Sequence, residues 1–308
     1  LDSQDKKERQ KEDEKYSVIE CNSAEEFLDK LSPRDKMWGD SVNPDWIFRG
    51  QANADWSLIP RALRDDGWGT LFNSSPKPSK RSVVLQLKCE FSVLKLFVKA
   101  ADRQGIQLPD DSSKFRKKWL NDDQYPVEQM YKGPFLWPFT QHLRILSLAQ
   151  HYGLPTRLLD WTTRSYNAAY FASYDAIMEP NSRPTENSKI AVWAMNAEFI
   201  HEEEMKRGIN TIRNPTALNP NLFAQSGVLT YVRDRGQRGN SANLDGHEDA
   251  LDSSGIIELR KITLPQSESK KLLWWLSKEG VDGASMFPGL PGAIKLVYEQ
   301  SLWEKPNK

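Results

Sequence analysis

The chain has only two cysteines in 308 residues, Cys21 and Cys89, far apart and without ligand spacing. That excludes a disulfide framework or a thiolate zinc site, and it fits a reduced, cytoplasmic setting. Charge of one sign is absent too: Lys+Arg and Asp+Glu both number 42. A balanced chain disfavours bulk nucleic acid or an anionic membrane as the main partner. No apolar run approaches the roughly 20 residues of a membrane span, and the charged opening does not read as a signal peptide. The four histidines are scattered, and His142 and His151 stand nine apart, unsuited to a metal pair on one helix face, so no metal is expected. There is no G-x-x-x-x-G-K-[ST] loop, no G-x-G-x-x-G after a strand, no H-E-x-x-H and no G-x-S-x-G.

What the sequence does have is length for one large domain and 11 tryptophans, which serve a core or an aromatic-lined pocket equally well. Residues 1–15 are a polar tail. Tyr16–Glu20 reads as a strand, and Ser23 with Glu26 sets a capping-box spacing that opens a helix to about Leu31. Asp45–Gly50 reads as a buried strand, with Ala54–Leu63 folding back over it. A Ser/Pro/Lys/Asn-rich loop spans 69–80, and Val83–Ala101 has helical apolar spacing. The section 105–136 carries no firm pattern. Leu143–Tyr152 reads as a helix stopped by Gly153 and Pro155, Thr156–Thr162 as extended, and Arg164–Met178 as a second helix. Then come strand Lys189–Met195, acidic helix Ala197–Arg207, strand Gly227–Val232, a surface loop at 233–253, strand Ile256–Leu264 and helices Ser267–Lys278 and Pro291–Leu302. Residues 303–308 form a tail. Helices gather early and strands late, which predicts an α+β protein with a mixed or antiparallel central sheet and one globular domain over 16–302.

Chemistry concentrates at Gln150-His151-Tyr152-Gly153-Leu154-Pro155-Thr156-Arg157-Leu158-Leu159-Asp160-Trp161-Thr162. On a regular strand Asp160 and Thr162 share a face and Arg157 does not. The Thr162 hydroxyl is placed to cap the following helix and leave N–H groups for an anion. Arg49 ends its own strand between Phe48 and Gly50. Such an arginine either pairs with a carboxylate such as Asp160 or grips a phosphate or ribose. A buried Arg–Asp pair is also a common structural device, and His151 and Tyr152 also suit a helix cap. Glu202–Glu204 reads as a solvated face, and Arg233, Arg235 and Arg238 as a solvated loop, which leaves nucleic acid disfavoured.

These pieces resemble the FRG domain, a bacterial domain named after its Phe-Arg-Gly motif. Phe48-Arg49-Gly50-Gln51 matches the name motif. Trp56, Leu58, Pro60 and Arg61 match the trail behind it, with the arginine one place early. Leu148–Thr162 is similar to the central signature nearly throughout, and Ala168–Ala172 to its small-and-aromatic helix. Gln225–Thr230 resembles a later Q-x-G-x-F-T segment. Met286–Gly292 resembles a closing L-F-P-x-L-D-G motif, with Pro291 where aspartate is common. The resemblance runs from about Val18 to Val297.

A second resemblance, to ADP-ribosyltransferases, is one of element order. Those enzymes hold NAD with an arginine from a first strand, follow it with a Ser/Thr-containing strand entering a helix, and open a late strand with glutamate. Arg49, Asp160-Trp161-Thr162-Thr163 and Gln225 stand at the corresponding places. The resemblance implies an NAD- or nucleotide-processing enzyme. Arg49 would hold phosphate or ribose, Thr162 and Tyr152 would line the nicotinamide side, and Asp160 or Gln225 would orient the ribose. His151 would carry a proton, as imidazole suits. Gly50, Gln51, Arg61, Thr156, Arg157 and Trp161 would line the ligand. A neutral Gln225 lacks the charge of glutamate, so Asp160 or Glu258 would have to supply the carboxylate. The implied role is a toxin or anti-phage effector acting on NAD or a target macromolecule. The alternative is a non-catalytic sensor binding a nucleotide or a protein.

Overall fold

The computed structural model describes residues 16–39, 46–69, 71, 76–121, 137–178, 187–197, 209–212, 224–232 and 258–303. The expected tail 1–15, the acidic helix after Ala197, the loop 233–253 and the residues after Trp303 lie outside them.

Seven strands form one mixed sheet: β1 (Ser17–Glu20), β2 (Trp46–Gln51), β3 (Leu159–Thr162), β4 (Lys189–Asn196), β5 (Ile209–Ile212), β6 (Gly227–Val232) and β7 (Leu259–Pro265). Their order is β1-β7-β4-β2-β3-β6-β5. Only the β1–β7 pairing is parallel. Eight α-helices stand among the described residues: α1 (Ala24–Leu31), α2 (Val83–Arg103), α3 (Ser113–Asn121), α4 (Leu143–His151), α5 (Ser165–Met178), α6 (Ser269–Lys278), α7 (Gly283–Met286) and α8 (Leu290–Trp303). The protein is α+β, as the order of elements implied.

Local signals set most boundaries. The Ser23 hydroxyl accepts the Glu26 N–H at 3.2 Å, while the Glu26 carboxylate accepts from the Asn22 N–H rather than from Ser23. Gly153, at φ +90°, ends α4. The extended reading of Thr156–Thr162 shortens to a ladder over Leu159–Thr162. Before it, the Thr156 hydroxyl accepts the Leu158 N–H, a local turn that competes with the strand. β5, α3 and α7 have no counterpart in the sequence reading; β5 and α7 span only four residues each, and α3 lies in the section 105–136, which carries no firm pattern.

Side-chain alternation divides the core. Phe48, Ile190, Val192, Ala194, Ile262 and Leu264 pack under α1, α5 and α6. Leu229 and Tyr231 pack under α2, α3 and α4. Phe48 stands opposite Thr162, and Asp160 opposite Leu229. Both helical layers therefore cover the same face of the sheet, side by side. Ile47, Leu159, Trp161, Trp193 and Val228 fill the other face with Leu58, which does fold back over β2. β2 and α5 are almost in contact: a Cβ on Gly50 would fall 2.0 Å from the Ala168 carbonyl oxygen. No side chain fits there, so glycine brings the helix onto the strand.

Candidate functional site

The seam between the two helical layers is a cavity of about 590 Å³, within the range of small-molecule sites. Its floor is the end of β2 (Phe48, Arg49, Gly50), β3 (Asp160, Trp161, Thr162) and the start of β6 (Gly227, Val228, Leu229). One wall comes from α4 and its end (Ser147, Gln150, His151, Tyr152), the other from α5 (Ala168, Phe171, Asp175). Gln225 and Phe287 complete it.

The floor opens because two strands part. The register between β2 and β3 runs through the single pair Phe48–Thr162, whereas β2 and β4 pair through all six residues from Trp46 to Gln51. Beside the parted strands, Arg49 Nη1 donates to the backbone carbonyl of Asp160 at 2.8 Å. The guanidinium thus meets the backbone of Asp160 here and stays half-buried at the cavity. Asp160 itself is exposed between buried Leu159 and Trp161.

Gln225 is fixed from three sides. Its backbone carbonyl accepts the Thr162 hydroxyl at 2.7 Å and Asn167 Nδ2 at 3.1 Å, and its Nε2 donates to the Met286 carbonyl at 3.3 Å. The Thr162 hydroxyl also accepts the Arg164 N–H at 3.1 Å. Thr162 therefore closes a turn at Arg164, just before α5, instead of capping an N–H of the helix, and the same hydroxyl is committed to holding Gln225. At the rim, Tyr152 is 73% exposed, and its ring meets the His151 ring edge-on at 5.1 Å. Phe171 and Phe287 meet edge-on at 6.1 Å.

Eight of the twelve residues singled out from sequence line this cavity: Arg49, Gly50, His151, Tyr152, Asp160, Trp161, Thr162 and Gln225. The other four are absent from its lining and hold the fold. Gln51 is buried, accepting Trp193 Nε1 at 2.7 Å and donating to the Ser57 carbonyl. Arg61 donates to the carbonyls of Gly67 and Gly153. The Thr156 hydroxyl donates to Gln150 Oε1. Arg157 makes a bidentate pair with Glu90, 2.7 Å in both bonds. Glu258, the other carboxylate considered, pairs with Arg260 outside the cavity. Sequence reasoning passed over Asp175, Phe171 and Phe287. Ala168, Phe171 and Asp175 are spaced i, i+3, i+7, one face of α5, so the helix period carried that signal once Ala168 was placed against Gly50.

Residues 44–180 match the family model of the FRG domain. This chain carries an FRG domain. The matched span supplies Arg49, the β3 residues and both helical walls, while Gln225 and Phe287 come from beyond it. No curated protein and no solved structure matches the chain. Among the described residues no cluster of three or more His, Cys, Asp or Glu is placed to hold a metal, and no helix is long and apolar enough to cross a membrane.

Proposed function

We propose that the FRG-domain cavity binds a nucleotide of the NAD type and acts on its nicotinamide–ribose bond. One observation carries the reading. Arg49, Asp160–Thr162 and Gln225, the elements set beside those of ADP-ribosyltransferases, stand on or next to three neighbouring strands and line one cavity. The guanidinium of Arg49 is the group for a phosphate or ribose. Cleavage of the bond builds positive charge on the ribose, and the Asp160 carboxylate, two residues along β3 from Thr162, is the anion suited to meet it. The Gln225 amide, its backbone held by Thr162 and Asn167 and its Nε2 bonded to the Met286 carbonyl, orients a ribose hydroxyl. His151 and Tyr152 stand at the rim, where an acceptor or water would enter. Such an activity acts on a cytoplasmic NAD pool or a macromolecular target, the work of a toxin or anti-phage effector.

A second reading keeps the ligand and drops the turnover. It is favoured by the neutral Gln225, whose Nε2 is engaged by Met286. The domain would then sense a nucleotide or present it to a protein partner.

Incubation of the purified protein with NAD, following nicotinamide release by chromatography and binding by calorimetry, separates them. The first reading expects turnover in the wild type that falls at least about a hundredfold in Asp160→Asn, the scale of removing one transition-state charge. It expects weakened binding in Arg49→Ala. Binding without turnover selects the second reading, and neither binding nor turnover sinks both.

A further inference from the structure

The last described helix presents a face that the described residues leave uncovered. On α8, Leu290, Ile294, Val297 and Tyr298 are 80%, 58%, 65% and 57% exposed. Their spacing of i, i+4, i+7 and i+8 puts them on one stripe. A buried helix face has this pattern, and here it points to solvent.

The charges of α8 explain what the stripe can meet. The helix has one basic and one acidic side chain, Lys295 and Glu299, and neither serves the outer face. Glu299 is 1% exposed. It accepts the Tyr170 hydroxyl at 2.6 Å and the Gly283 N–H at 3.1 Å. Lys295 lies over the rings of Tyr174 and Phe287, 4.1 and 4.6 Å from their centroids. Around the stripe, the remaining exposed positions of α8 are Pro291, Ala293, Gln300 and Ser301, all uncharged.

We propose that this face is a homodimer interface, in which α8 packs against α8 of a second copy about a two-fold axis. An isologous interface sets a patch against itself, so a patch bearing charge repels itself and an uncharged apolar one is self-complementary. The exposed positions of α8 offer a charged partner no opposite charge to recognise. The area agrees. The four side chains expose on the order of 400 Å² per copy, the size of the largest apolar patch on a monomer, which is often a functional surface. Two copies bury about 800 Å² from the stripes alone, roughly half a standard interface, with the flanking small residues adding to it. That scale gives a dimer that dissociates on dilution. The net charge of zero sets no long-range repulsion against self-association. The inference is independent of what the cavity binds.

Sedimentation velocity of the full chain across a concentration series is the test, with Ile294→Glu and Val297→Glu beside the wild type. Both positions face solvent, so folding survives the change, and the melting temperature of dilute samples verifies it. The wild type is expected to pass from monomer to dimer. Each variant is expected to dissociate at least about a hundredfold more readily, because the new carboxylate meets its own copy. A wild type that stays monomeric overturns the proposal, as does a dimer indifferent to both substitutions. A monomer whose melting temperature falls in the variants overturns it in favour of another segment of the same chain lying on the face.

Discussion

Two arginines of the same domain sit about as differently as two arginines can. Arg157 lies in a closed polar lattice under α2, where one carboxylate is shared four ways. Glu90 accepts from Arg157 Nε and Nη2, Trp137 Nε1 and Gln86 Nε2, all between 2.7 and 2.9 Å. Gln86 passes the network on to Arg81 and to the Ala62 carbonyl. Arg49, by contrast, reaches a backbone carbonyl beside two parting strands and borders a cavity. The first arrangement spends its hydrogen-bonding capacity on the fold. The second leaves its polar groups beside space a ligand can enter. A residue type within a family signature does not say which of the two it is; its neighbours do.

The largest effect that tests this contrast is in the lattice. Glu90→Ala leaves the Arg157 guanidinium buried without its carboxylate, and Arg157→Ala leaves the carboxylate without its cation. Either change should cost about 3–5 kcal/mol of unfolding free energy, as removal of one partner from a buried pair does. Denaturant unfolding measures it. The double variant should cost less than the sum of the singles, since neither charge is then stranded. A loss below about 1 kcal/mol in both singles would mean that water reaches the pair and the lattice is not closed.

Next to the lattice, His142 gives the same region a pH signature. The ring lies among Phe91, Trp119, Trp137 and Phe139. Burial, with a smaller push from Lys118, lowers its pKa to about 4. The folded state therefore holds the ring neutral where the unfolded chain, titrating near 6.5, binds a proton. Its contribution is present above pH 6.5 and is lost as pH falls toward 4, up to about 3 kcal/mol over the window. His142→Phe should flatten that part of the stability profile, read from urea midpoints at several pH values between 7 and 4.5. An unchanged slope would move the acid sensitivity to other groups.

How much of this was legible in sequence follows from the range of each interaction. The α+β class, the strands β2 and β6 and the helices α2 and α4 rest on local periodicity and caps, which the sequence displays. The gathering of Arg49, Asp160, Thr162 and Gln225 rests on a resemblance of element order. The Glu90–Arg157 pair spans 67 positions with nothing local to announce it, and Arg157 stood among the ligand-lining expectations for that reason. Asp175 and Phe287 were missed because their relevance depends on how α5 sits on Gly50 and how α7 meets Gln225. The parting of β2 from β3, which makes the cavity, is a property of the sheet and of no single residue.

The smallest effects are expected in the cleft, and they sharpen the contrast most. Arg49→Ala removes a bond to the Asp160 carbonyl from a half-buried side chain, so about 0.5–1.5 kcal/mol of stability should go with it. Tyr152→Ala, at a position 73% exposed, should change stability by no more than about 0.5 kcal/mol. Denaturant unfolding of these two beside Arg157→Ala ranks the three sites on one scale. The expected order is Arg157 far above Arg49, and Arg49 above Tyr152. If Arg49→Ala instead costs as much as Arg157→Ala, its guanidinium is a strut for the parted strands, and the case for a ligand at Arg49 falls with the ranking. If the order holds, an arginine that the fold scarcely needs stands in the floor of a formed cavity, which is what a binding residue looks like in a stability measurement.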